Sequence, residues 1–112
     1  MGSDTNGLIA RAPRFRLRKP IVLHLPEGHV KGHSLDVSES GMLAVFEEPL
    51  DDWLTGRLFT LVGETSLGIE VRVARVNGRE AGLTFHNISA SDHATIQELL
   101  GHAGKTPLAP YL

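Results

Sequence analysis

The chain has 112 residues, 41% of them apolar and 21% charged, and a formal net charge of −2, which suits one compact core and leaves no room for two ordinary domains. It has no cysteine, which excludes a disulfide framework, thiolate metal sites and cysteine catalysis. No apolar run reaches the roughly 18–20 residues that cross a bilayer, and the N-terminus carries no apolar signal core, so the expectation is a cytoplasmic protein without a membrane span.

Residues 1–10 are polar and without periodicity, and disorder is expected there. The next segment, residues 11–19 (RAPRFRLRK), holds five of the eleven basic residues and no acid, while residues 20–112 hold six basic and twelve acidic residues. Such a segment is either a solvated arm or a clamp for an anion, because the planar arginine fork suits phosphate oxygens and guanine edges. A general nucleic-acid binder spreads basic charge over a face of its fold. The acidic remainder of the chain opposes that, so no DNA or RNA partner is expected.

Pro20 opens a β-rich run over residues 21–25, and Pro26-Glu27-Gly28 is a turn signal. Residues 29–37 read as a second strand with Gly32 as a bulge, and Ser38 to Gly41 as a tight polar turn. Residues 42–46 form a third strand, apolar enough to be buried. A loop over 47–56 precedes a fourth strand at 57–62. Residues 67–76 alternate, with Leu67, Ile69, Val71 and Val73 on one side and Arg75 next in line. Asn77-Gly78 is the strongest hairpin signal in the chain, since a type I′ turn needs positive φ at both central positions, and residues 79–85 return. The period then changes to a helix capped by Ser89 or Ser91, with Ile96, Leu99 and Leu100 as its apolar stripe. A helix this short must dock on the sheet, and residues 103–112 are expected to form a loose tail. Six short strands and a terminal helix predict an all-β fold: a six-stranded antiparallel β-barrel plus a C-terminal α-helix.

Few residues carry chemistry. His29 and His33 fall on one strand face but far apart along it, and no zinc or calcium spacing is present, so no metal site is expected. Ser38 and Ser40 lie in D-V-S-E-S-G, which lacks the first glycine and the following helix of a nucleophile elbow. Trp53 reads as a barrel plug. With no nucleophile–base pair and no cofactor fingerprint, the expectation is a binding protein, not an enzyme, and no cofactor.

Two features remain, the arginine segment and Asp36-Val37-Ser38-Glu39-Ser40-Gly41. In this order, around a first hairpin, and with Ala81-Gly82-Leu83-Thr84-Phe85 before a short capped helix, they resemble the PilZ family. That family carries an R-x-x-x-R motif in a flexible N-terminal segment and a [D/N]-x-S-x-x-G motif between early strands. The resemblance spans roughly residues 11–101. It implies a PilZ-like domain over 11–102, with 11–19 as a flexible arginine arm that orders when it binds the bacterial second messenger cyclic di-GMP, and signalling through an unidentified protein partner. The implied ligand-binding residues are Arg11, Arg14, Arg18, Asp36, Ser38 and Gly41. Arg14 and Arg18 have the R-x-x-x-R spacing. The residues that follow favour a second register, in which Arg14 is the second arginine, Ala10 stands at the first and Arg11 lies one residue late. The alternative implied by Ala10 is a degenerate adaptor that binds no nucleotide and acts by protein–protein contact. The same residues also have plain structural uses: a solvated basic arm, and a turn whose side chains bond local backbone.

Overall fold

The structure is a computed structural model that describes residues 13–102. Ala10, Arg11 and the segment 103–112 lie outside the described residues. The alternating pattern resolves into strands β1 (Phe15–Arg16), β2 (Pro20–Leu25), β3 (Gly28–Val37), β4 (Gly41–Phe46), β5 (Thr55–Val62), β6 (Thr65–Asn77) and β7 (Glu80–His86), followed by helix α1 (Ala90–Gly101). All pairings are antiparallel. Strands β3, β2, β5, β6, β7 and β4 follow one another around the sheet, and β4 returns to β3. This is the expected six-stranded barrel with a C-terminal helix. The two-residue β1 pairs with β3 and continues the line of β2 along the same side of it, with Phe15 opposite Val37 and Arg16 opposite Asp36.

The period-2 pattern sends Leu23, Ala44, Phe46, Leu58, Ile69, Val71, Val73 and Leu83 into one core. Ile96 and Leu99 of α1 are fully buried and join it, with α1 lying on β5 and β6. The cap is Ser89, whose Oγ accepts the Asp92 N–H at 3.0 Å, satisfying a donor that the first turn of the helix leaves free.

Four local expectations are corrected. Gly32 is not a bulge, since its ladder to β2 is regular. A Cβ there would lie 2.2 Å from the Val45 carbonyl oxygen, so Gly32 serves close approach between β3 and β4. Asn77 pairs with Glu80, so the hairpin loop is Gly78-Arg79 with positive φ at Gly78 and not at Asn77. Only the first central position then needs glycine, as in a II′ turn. Arg75 leaves the apolar row, because the β6–β7 register shifts between Val73 and Arg75. Trp53 is 71% exposed and plugs nothing. Its backbone sits at φ +71°, its N–H is held by the Val73 carbonyl at 2.8 Å, and the Arg72 guanidinium lies 6.0 Å from its ring centroid.

The segment ahead of the barrel is fastened to β3 by Ser34. Leu17 N–H donates to the Leu35 carbonyl at 3.1 Å, and Ser34 N–H to the Lys19 carbonyl at 2.9 Å. The buried Ser34 hydroxyl accepts from Lys19 N–H at 2.9 Å and donates to the Leu17 carbonyl. Replacing Ser34 by alanine leaves the Lys19 amide and the Leu17 carbonyl, both on half-buried residues, without this partner. Ser34→Ala is therefore expected to lower stability by about 1–3 kcal/mol in urea unfolding and to speed hydrogen exchange at the Lys19 amide. Unchanged exchange there would mean that the segment is held by its apolar side chains alone.

Candidate functional site

A bulge decides where the acidic residue goes. Gly32, Ser34 and Asp36 would share one face of an unbroken strand. The β3–β4 register instead shifts between Ser34 and Asp36, so that Asp36 stands opposite Leu43 and Val37 opposite Met42. Leu35 is the extra residue. Val37 and Met42 enter the core, and Asp36 turns outward beside the half-buried Leu43. Asp36 is nonetheless covered. Arg14 Nη2 donates to Asp36 Oδ2 at 2.8 Å, with 9% of the carboxylate side chain and 33% of the arginine exposed. The structure puts the carboxylate beneath the guanidinium. Arg14 Nε–H is buried and has no acceptor among the described residues.

Ser38 is buried at the head of the turn that follows. Its Oγ accepts from Ser40 N–H at 3.2 Å and lies 3.2 Å from Ser40 Oγ. Ser38 N–H donates to the Gly41 carbonyl at 2.9 Å, and the Ser40 carbonyl accepts from Phe85 N–H at 2.9 Å. The turn is thus bolted to both β4 and β7. Gly41 serves that bolting. A Cβ on it would stand 2.3 Å from the Leu83 carbonyl oxygen, so glycine lets β4 and β7 approach.

These residues line one groove of about 420 Å³, together with Leu43 of β4, Arg75 of β6 and Gly82 of β7. That volume lies in the range of small-molecule sites. Arg75 reaches it through the second bulge, which inserts Ala74 and turns Arg75 to the outer face. A Cβ on Gly82 would lie 3.8 Å from Arg75 Cβ and 4.0 Å from its Nε, so the arginine stem runs over a floor left bare by the glycine. The sequence pattern missed Arg75. The signal was an arginine falling in line with four apolar residues, which a regular strand would bury.

The structure brings Arg14, Asp36, Ser38 and Gly41 together. Arg18 is exposed and is not among the residues lining the groove. Arg11 lies outside the described residues. The groove therefore presents two guanidinium groups, a carboxylate and the hydroxyls of Ser38, Ser40 and Thr84. Its donors and acceptors suit an anion carrying a hydrogen-bonding ring edge.

The PilZ domain family model matches residues 9–102. No curated protein relative matches the chain. Among solved structures, the PilZ domain of YcgR from Escherichia coli with cyclic di-GMP superposes with a TM-score of 0.73 at 13% identity, over 82% of this chain and 88% of that one. The PilZ domain of CeSA from a cellulose-synthesizing bacterium gives 0.67 at 15% identity, over 80% and 95%. The Bacillus subtilis inhibitor of motility, MotI/DgrA, gives 0.67 at 19% identity, over 82% of this chain and 49% of that one. At these identities the structural likenesses establish the fold.

Proposed function

We propose that this chain, which belongs to the PilZ domain family, is a bacterial cytoplasmic receptor that binds cyclic di-GMP in the groove between Arg14, Asp36 and Arg75, and passes the signal to a protein partner. The observation that carries this reading is the Arg14–Asp36 pair at the rim of that groove. A guanidinium can fork onto phosphate oxygens or onto guanine O6 and N7. Asp36 can accept from guanine N1–H and the exocyclic amine, as a carboxylate does well. Ser38 supplies a hydroxyl to a base edge or phosphate. Gly41 holds the turn close to β7. Arg75 adds a second cation, and Gly82 beneath it leaves room for a flat ring. Arg11 and Arg18 complete the arginine set if the segment ahead of the barrel re-wraps onto the nucleotide. The unmet Arg14 Nε–H supports movement of this residue, since a shift of its head group onto a ligand oxygen would satisfy the donor.

A second reading is a partner-binding adaptor that takes no nucleotide. It is favoured by Ala10 in the first arginine position and by the neutralisation of Arg14 by Asp36.

Calorimetric titration of the chain with cyclic di-GMP separates the two. Saturable binding, micromolar or tighter and weakening as salt rises because exposed charges are screened, is the expected result. Its stoichiometry reports one nucleotide or a stacked pair. Absence of heat and of thermal stabilisation at high ligand would support the adaptor.

A further inference from the structure

The opposite end of β3 carries a second cluster that the nucleotide reading does not use. His24 and His29 stand directly opposite each other across the β2–β3 hairpin, one pair beyond Leu25 and Gly28, which close its two-residue loop. That is the position in an antiparallel ladder where facing side chains come closest. Their rings stack with centroids 5.5 Å apart and planes at 27°. Both side chains are exposed, and Phe59 of β5 meets His24 edge-on at 4.8 Å.

We propose that His24 and His29 form a two-imidazole chelate for a divalent transition-metal ion of the nickel, copper and zinc class. Imidazole nitrogen suits these borderline ions and not magnesium or calcium. Rotation about χ2 turns the ring lone pairs from parallel to convergent, and both rings stand on the exposed face of the hairpin. No third imidazole or carboxylate among the described residues completes a ligand set, so water takes the remaining positions. Four neighbours set the local field. Glu27, Glu48 and Asp51 line one opening with His29 and favour a cation. Arg57 stands opposite His24 and opposes one, but its guanidinium is turned to the Gly68 carbonyl at 3.1 Å. His29 and Asp36 lie roughly 20 Å apart along one strand, so this site works independently of the groove.

The probe is Ni²⁺ titrated into the intact chain, followed by calorimetry, thermal unfolding and paramagnetic broadening of amide resonances. The expected result is one saturable site, broadening centred on residues 23–30, and a higher Tm with metal, because a ligand bound only by the folded state stabilises it. H24Q and H29Q should each weaken binding by at least about tenfold, as losing half of a chelate does, and abolish the rise in Tm, while H33Q should change neither. Affinity equal to wild type in both H24Q and H29Q, or broadening centred elsewhere, would overturn the proposal.

Discussion

Arg14→Ala is expected to weaken cyclic di-GMP binding by about ten- to a hundredfold, the equivalent of one lost bidentate contact. It should also reduce stability, because Asp36 would keep its carboxylate within the surface and lose the one side chain that hydrogen-bonds it among the described residues. That second effect is about 1–3 kcal/mol, well below the stability of an ordinary domain, so the variant should still fold. Asp36→Ala should weaken binding comparably, and for a linked reason. The two side chains form one unit in the free protein, so their effects should not add. A double-mutant cycle on nucleotide affinity should return a coupling of about 0.5–3 kcal/mol. Additive effects, or affinity retained in both variants, would remove the pair from the site.

Gly41→Ala is expected to produce the largest loss of stability of any glycine change in the groove. The new Cβ would stand 2.3 Å from the Leu83 carbonyl oxygen. That obstacle is backbone in a paired strand, not the end of a flexible side chain, so β4 and β7 must separate. The penalty is placed at about 3 kcal/mol by analogy with overpacked cores, read as a lower midpoint in urea unfolding. Gly101→Ala is the control, since its Cβ would meet nothing within 4 Å. A Gly41→Ala variant of normal stability that nonetheless lost cyclic di-GMP would reverse the assignment and make the glycine a point of ligand contact.

The barrel was legible in the sequence because period-2 alternation and turn residues mark every strand from Pro20 to His86. The helix followed from Ser89 and the spacing of Ile96, Leu99 and Leu100. What periodicity could not show were the two bulges. One extra residue reverses which face each later side chain takes, and nothing in the residue types at Leu35 or Ala74 marks that insertion. Asp36 therefore departs from the face of Ser34 and lies under Arg14, and Arg75, next in line with the apolar row by pattern, lines the groove instead. Trp53 misled for another reason: its bulk suggests a core, but the left-handed backbone of its loop turns it out to solvent. The His24–His29 contact depends on a hairpin register that places residues five apart face to face, which neither strand shows alone.

Barrel closure constrains how any signal can leave this domain. Among the described residues six strands have neighbours on both sides, though β5 meets β2 over only three residue pairs, and β1 has a neighbour on one side only. That free margin is two residues long, with Arg16 and Arg18 exposed on and beside it. A partner consequently finds only short stretches of unpaired strand edge, which makes strand addition a poor route to recognition. Under the receptor reading, an output would have to be written in side chains, either on the outer wall or on the segment that Ser34 tethers to β3. Partners should accordingly discriminate by surface shape and charge, and disulfide-locking the segment to β3 should silence a signal that depends on its movement while leaving the barrel untouched.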